Sequence, residues 1–418
     1  MAYRTAQEHH QCGRFTEAEA GYREVLRLWP GLPEPLHYLG ILAHQRGQSA
    51  EALALLAEAL RLAPRAPLFH NNLGVILREL GRFEEAIAEH ECALALRPDF
   101  ADAQTCLAVT HWTYACALLG RGDYGRGWKE YEWRMHPAIP GGPERHFGKP
   151  LWNGMAAPGA TILLHAEQGL GDAIQFVRFV PRVAARVGRI IVACVEPLRR
   201  LFSQMSGVAQ VYGPGEPLPH FDLECPFGSL PLRFGVTAAE LPATVPYLAV
   251  PAELMARWAE LVALPPSRQP KIGLCWRGSV TNAIDTGRSY SLKDFAPLYA
   301  EASGHYYSLQ IDASAEEIRE TPLINLTPEI RDLADTAALV SQLDLVITVD
   351  TAVAHVAGAL GIPVWVVLSP ESDWRWLHDR TDSPWYPSAR LFRRAAEESK
   401  GSVMQRVAQA LPAAGVDR

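Results

Sequence analysis

Hydrophobic positions in the first hundred residues recur at helical spacing, and the predicted helices repeat along the chain. A period of 34 residues is marked by three glycines and three prolines: Gly13, Gly47, Gly81, Pro30, Pro64 and Pro98. Each period predicts a pair of helices joined at the glycine. Because one pair cannot bury its own apolar face, the units are expected to stack into a solenoid with a concave surface.

A fourth, irregular helix pair is predicted after the third unit. Its helices would cover 104–119 and 128–133, and Gly122 lies 41 residues after Gly81 instead of 34. We expect this pair to cap the solenoid. The segment 136–155 is rich in proline and glycine, which is typical of a linker.

From residue 160 onward, short apolar runs alternate with amphipathic segments. One series of strands and helices occupies 160–225, and a second begins with the apolar run at 271–276. Strands that alternate with helices predict parallel sheets covered on both faces. The sequence therefore predicts two Rossmann-like halves.

The second half contains the most informative segment, 345–367. An apolar run ends at Asp350-Thr351, a helix of small residues follows, and a second apolar run begins after Pro363. This pattern predicts a strand, a tight turn, a helix and a strand. Backbone N–H groups at such a helix N-terminus bind anions, and ligands of open α/β sheets lie at this edge. We expect a nucleotide diphosphate here.

Composition and charge narrow the class of protein. The chain has 418 residues, 48% of them apolar, and a net charge of −7, which argues against a general nucleic-acid binder. No apolar run is long enough to predict a membrane span, and the first residues lack a hydrophobic signal region. Seven dispersed cysteines favour reduced thiols, hence a cytoplasmic protein, and give no metal-site spacing.

Several motifs together carry a family resemblance. The repeats resemble tetratricopeptide repeats, and four later segments resemble the catalytic region of bacterial tetratricopeptide-repeat glycosyltransferases, which is similar to the lipopolysaccharide heptosyltransferases. These segments are HAEQGLGD at 165–172, CWRGS at 275–279, DTAVAH at 350–355 with GIP at 361–363, and DWRW at 373–376 with SPWYP at 383–387. One position departs from the family, because heptosyltransferases carry a lysine near strand 271–276 whereas this chain has Arg277.

The resemblance implies an α plus α/β fold: a tetratricopeptide solenoid followed by a type B glycosyltransferase (GT-B) of two Rossmann-like domains. We expect the solenoid at 1–135, a linker at 136–158, an acceptor-side domain at 159–250 and a donor-nucleotide domain at 251–418. The resemblance also implies a metal-independent enzyme that needs no cofactor beyond its nucleotide-sugar substrate.

Candidate catalytic residues lie in the first half. Asp172 follows a Gly-Leu-Gly turn and is a candidate general base, although an aspartate at a helix start is also a common cap. His165 and Glu167 are rival bases on the same loop. Gln168 and Gly171 are candidate sugar contacts, as are Asp373 and Trp374 in the second half.

Candidate donor-binding residues lie in the second half and combine basic side chains with the anion-binding turn. They are Arg277, Ser279, Arg288, Asp350, Thr351, Ala352, Val353 and His355. A guanidinium matches a phosphate fork, and Arg288 lies in a polar loop that we expect to close over the phosphates. His355 has a second interpretation as a core histidine.

Three functions fit these observations. The leading one is transfer of a sugar to a protein hydroxyl, for example on a flagellin-like protein, with Asn71 and Asn72 of the third repeat holding the acceptor peptide in the groove. The second is transfer to a glycolipid. The third is a scaffold with a degenerate transferase half. The sequence leaves the sugar, the nucleobase and the oligomeric state open.

Overall fold

The computed structural model describes residues 2–139, 147–241, 244–263, 269–278, 287–301 and 303–411. They form two compact units. The first comprises Met1–Cys116 with Glu130–Gly142, and the second comprises Ala117–Lys129 with Pro143–Arg418.

The first unit is built from helix pairs that follow the 34-residue period. Its helices are α1 (Ala2–Gln11), α2 (Phe15–Leu28), α3 (Pro33–Gln45), α4 (Ser49–Leu62), α5 (Pro67–Glu79) and α6 (Phe83–Leu96). Gly13, Gly47 and Gly81 all have positive φ, near 75°, which glycine adopts without strain. Ala18, Ala52 and Ala86 are fully buried, so the paired helices cross closely. The predicted helix pairs and their 34-residue period are confirmed.

The fourth helix pair is α7 (Ala101–Gly120) and α8 (Tyr124–Tyr131). Its turn again contains a glycine with positive φ, Gly122. Both helices extend across the boundary between the two units. The segment 117–129, with the buried Trp128, belongs to the second unit.

The second unit contains a four-stranded parallel sheet. Its strands are β1 (Ala157–His165), β2 (Val187–Ala193), β3 (Val208–Tyr212) and β4 (Leu223–Pro226), in the order β3-β2-β1-β4. The helices of this half are α9 (Leu170–Phe176), α10 (Val180–Ala184), α11 (Glu196–Phe202) and α12 (Leu230–Arg233). The amphipathic pattern of 173–187 predicts one helix, but Pro181 lacks an N–H, and the chain instead passes from α9 through a 3-10 turn into α10.

A six-stranded parallel sheet follows. Its strands are β5 (Lys271–Cys275), β6 (His305–Ser308), β7 (Leu323–Ile324), β8 (Leu345–Val349), β9 (Val364–Leu368) and β10 (Ala389–Arg393), in the order β10-β9-β8-β5-β6-β7. The helices are α13 (Ala252–Leu261), α14 (Ala296–Glu301), α15 (Ala315–Ile318), α16 (Leu333–Val340), α17 (Ala352–Leu360) and α18 (Lys400–Ala410). The proline-rich sequence of 239–270 indicates a bridge between the two halves, but this segment contains α13. Strand β10 was not predicted.

The two sheets contact each other through their helices, with α9 against α17 and α11 against α16. The predicted fold class, a helical solenoid followed by two Rossmann-like sheets of the GT-B type, is confirmed. The proposed domain boundaries stay predictions. Across the described residues, no helix combines the length and apolarity that crossing a membrane requires.

Candidate active site

The predicted anion-binding turn lies between β8 and α17, at the carboxyl edge of the second sheet. Thr351 is the first residue before the helix and has extended backbone, with φ −141°. Its side chain does not cap α17, because its hydroxyl contacts that of Thr348 at 3.0 Å. Ala352 and Thr351 are half-buried, and no bulky side chain precedes the helix. Thr351 therefore does not cap the N-terminus of α17 with its side chain, and the anion site expected at this turn stays a prediction.

The Gly169–Asp172 turn of the first half lies against this helix. A Cβ atom on Gly171 would meet the His355 ring at 2.6 Å, so glycine is required for the close packing of α9 on α17. Asp172 lies on the first turn of α9 and accepts a hydrogen bond from the Gly169 N–H at 3.0 Å. Its carboxylate also pairs with Arg375 of the second half. Two loops from opposite sheets thus meet at one place.

Two further carboxylates, Asp350 and Asp373, lie beside the anion-binding turn. Loss of hydration raises the pKa of Asp373 to about 7, and the nearby charge of Asp350 adds to this rise. The pKa of Asp350 is raised as well, chiefly by burial. The positive charge of Arg288 partly offsets the rise in both pKa values.

Two segments of the chain match known protein families. Residues 303–411, which include the Thr351 turn, Asp373 and Arg375, match the family described as glycosyltransferase family 9 (heptosyltransferase). This part of the chain is a family 9 domain. Residues 39–99 match the tetratricopeptide repeat. The predicted resemblance, repeats joined to a heptosyltransferase-type region, is confirmed.

Three individual proteins are similar to this chain. Protein FlbA of Caulobacter vibrioides is 29% identical over 333 residues, which cover 73% of this chain but only 55% of FlbA. The glycosyl transferase family 9 structure from Veillonella parvula is 12% identical, with TM-score 0.49, over 64% of this chain and 99% of that one. The E. coli ADP-heptose lps heptosyltransferase II is 18% identical, with TM-score 0.42, over 60% of this chain and 98% of that one.

His355 of the family 9 domain is a buried histidine, 4% exposed. Its Nδ1 atom lies 2.7 Å from the Tyr386 hydroxyl, and its ring packs against Trp376. Burial lowers the pKa of His355 to about 3, and the positive charge of Arg178 adds to this effect. The imidazole is therefore neutral at physiological pH and carries no positive charge toward a phosphate.

Arg277 lies at the end of β5, as expected, but its guanidinium is already paired. Nη1 contacts both carboxylate oxygens of Glu317, at 2.7 and 2.9 Å, and Nη2 donates to the Asp312 carbonyl at 2.8 Å. Gln310 accepts from the Trp276 and Arg277 amides at 3.1 and 3.0 Å, which fixes the strand end. To bind a phosphate as predicted, the Arg277 guanidinium would have to give up its contacts with Glu317 and Asp312. Ser279 lies outside the described residues.

The rival bases of the first half have structural contacts. His165 ends β1 and is 6% exposed, with Nε2 3.9 Å from the Glu224 carboxylate and Phe147 against its ring. Glu167 accepts from the Gly228 N–H at 3.0 Å and so ties its loop to the turn after β4. Gln168 is half-buried beside them. Asp172 is therefore the carboxylate of this loop that reaches the family 9 domain.

Two predicted contacts are corrected. Trp374 was expected to offer an indole face to the sugar or base, but it is 5% exposed and packs edge-on to Trp128, with centroids 5.6 Å apart. Asn71 was expected in the repeat groove, but it is 4% exposed, and its Oδ1 lies 2.9 Å from His90 Nδ1. Asn72 does line a concavity of about 620 Å³ between repeats, with Ile41 and Val75.

Arg375 makes a contact that the sequence did not predict: as part of the DWRW segment it was expected, with Asp373 and Trp374, to cover the sugar or base, but it pairs with Asp172. The DWRW segment marks its position, but the residue it pairs with lies 203 positions away. Among the described residues, no group of three or more His, Cys, Asp or Glu side chains could hold a metal ion.

Proposed function

We propose that this protein transfers a sugar from a nucleotide-activated donor to a hydroxyl group. The observation that carries the proposal is the packing of α9, which contains Asp172, against α17, which follows the Thr351 turn inside the family 9 domain, together with the pairing of Asp172 with Arg375. The turn would hold the donor diphosphate, and Asp172 would accept the proton of the attacking hydroxyl. The neutral His355 would support the helix behind the turn, and the donor contacts predicted for Ala352 and Val353 fit this arrangement.

We further propose that the acceptor is a polypeptide bound by the repeats. The concavity beside Asn72 combines apolar side chains, Ile41 and Val75, with the amide groups of Gln45 and of Asn72, whose Nδ2 also lies 2.9 Å from His37 Nε2. Amides bind an extended backbone and apolar positions bind its side chains. Seven free thiols support a reaction in the cytoplasm.

A panel of nucleotide sugars and free nucleotides tests the donor proposal. The purified chain is melted with each compound, and we expect the nucleotide of the true donor to raise the melting temperature by several degrees at saturating concentration. Transfer is then followed by mass spectrometry with polypeptide and glycolipid acceptors. If no nucleotide in the panel stabilises the protein, the hypothesis of a non-catalytic scaffold is favoured. If sugar is transferred only to the glycolipid, the hypothesis of a polypeptide acceptor is ruled out.

The affinity for a nucleoside diphosphate is expected to fall from pH 6 to pH 8. Since the pKa values of both Asp373 and Asp350 are raised, part of the negative charge of this carboxylate pair appears beside the Thr351 turn only as the pH rises. Repulsion between one such charge and the diphosphate should weaken binding roughly three- to tenfold. Isothermal titration calorimetry on wild type and Asp373→Asn measures this. Titration of the ligand's own phosphate affects wild type and Asp373→Asn alike. If the affinity therefore falls equally steeply with pH in both proteins, Asp373 is not the cause of the pH dependence.

A further inference from the structure

Arg375 connects the two sheets at the candidate active site. It is 9% exposed, and its guanidinium pairs with Asp172 of the first half through Nη2. Nη1 donates to the Asp373 carboxylate at 2.6 Å, and the Arg375 backbone N–H donates to the same oxygen at 3.0 Å. One buried cation therefore joins a carboxylate from each half.

This contact fixes the orientation of the Asp172 carboxylate. Arg375 holds one oxygen, and the Gly169 N–H holds the other at 3.0 Å. Hydrogen bonds to both oxygens prevent rotation of the carboxylate and favour its charged form. Each oxygen keeps one lone-pair direction for a further proton donor.

The Arg375 guanidinium also packs against buried aromatic side chains. It lies over the Trp374 ring, with its central carbon 4.5 Å from the ring centroid. Trp374 packs on Trp128, whose indole N–H donates to the Val236 carbonyl at 3.0 Å. A planar cation packed on a buried indole, and paired on both sides, has little freedom to move.

We propose that Arg375 is a positioning residue for the general base, holding the Asp172 carboxylate across the two sheets in the orientation from which it accepts the acceptor proton. This inference rests on the proposed function. In the reaction, the acceptor oxygen forms a bond to the anomeric carbon and its proton passes to Asp172. The bond from that carbon to the phosphate oxygen breaks, and its electron pair leaves with the nucleotide. Arg375 acts through Asp172 only.

The alternative is that Arg375 only fastens the two halves together. A second arginine allows this to be distinguished. Arg200 on α11 of the first half pairs with Asp332 and Asp335 of the second half, at 2.7 and 2.6 Å. Arg200→Gln thus removes a contact between the halves without altering the surroundings of Asp172, and it is the matched control for Arg375→Gln.

The first measurement needs no substrate. The full chain is labelled with [4-13C]aspartate, the Asp172 signal is assigned with Asp172→Asn, and the carboxyl is titrated by NMR. We expect Arg375→Gln to raise the titration midpoint of Asp172 by at least one pH unit, Arg375→Lys by less, and Arg200→Gln not at all. An unchanged midpoint in a folded Arg375→Gln protein would overturn the proposal. If Arg375→Gln does not fold, the Asp172 titration midpoint of Arg375→Lys is compared with that of wild type, and this comparison tests the proposal.

The second measurement uses the donor identified in the nucleotide-sugar panel. Arg375→Gln should lower kcat roughly ten- to hundredfold with little change in the KM for the donor, and move the acidic limb of the pH profile upward. Arg200→Gln should leave kcat unchanged. Equal effects of both variants on kcat would assign Arg375 a purely structural role. If wild type turns over no nucleotide sugar, the proposed function fails, while the titration still shows whether Arg375 controls Asp172.

Discussion

Asp172→Asn is expected to slow sugar transfer by roughly 10²- to 10⁴-fold while the nucleotide still raises the melting temperature. Asparagine keeps the size of the side chain, and its amide oxygen still accepts from the Gly169 N–H, but it cannot accept a proton. Steady-state kinetics with the donor identified in the panel, together with thermal shift by its nucleotide, measure the two effects separately.

A matched control separates catalysis from helix capping. Asp294 occupies an equivalent place in a capping box, where it accepts from the Ser291 N–H at 2.8 Å. Asp294→Asn should lose up to about 1 kcal/mol of stability because it weakens one cap. Asp172→Asn should lose more, because it also removes a carboxylate partner from the buried Arg375 guanidinium. Only Asp172→Asn should lose activity. Full turnover in Asp172→Asn would mean that this carboxylate is a cap alone.

The elements that could be predicted from the sequence are those with strong local signals. The 34-residue period identified the helix pairs, and β8, α17 and β9 begin and end as predicted because small residues and Gly361 mark the helix limits. Strand β10 was missed because two of its five residues are arginines, so it lacks the continuous apolar run that marks β8 and β9. Helix α13 was missed because its flanking prolines indicated an irregular bridge.

The candidate site could be predicted only in part, because its contacts join distant segments. The turn at Thr351 and the aspartate at 172 each follow local rules for helix starts. Their connection depends on Arg375, and the burial of Trp374 depends on Trp128, a residue of the last predicted repeat. Nothing in the local sequence distinguishes an indole that binds sugar from one that packs against another indole.

The buried carboxylate of Asp335 joins three helices of the second unit. It is fully buried on α16 and pairs with Arg200 of α11 at 2.6 Å and Arg257 of α13 at 3.3 Å. The Trp258 indole N–H donates to it at 2.9 Å. Burial by itself would raise the pKa of Asp335, but the hydrogen bonds from Trp258 and Arg200 outweigh it and the pKa is lowered.

Asp335→Ala is therefore expected to destabilise the second unit by about 3 kcal/mol, since it leaves a buried indole N–H unsatisfied and two arginines without a shared partner. Asp382 is the control, because its pair with Arg380 is exposed and Asp382→Ala should change stability by less than about 1 kcal/mol. Urea unfolding followed by tryptophan fluorescence measures both.

Because the pKa of Asp335 is depressed in the folded state, the stabilisation that its carboxylate provides is present above the ordinary aspartate pKa. It is lost as the pH falls through the folded value, so the two proteins should converge in strong acid. Equal losses in the two variants at neutral pH would show that the three-helix junction does not depend on this carboxylate.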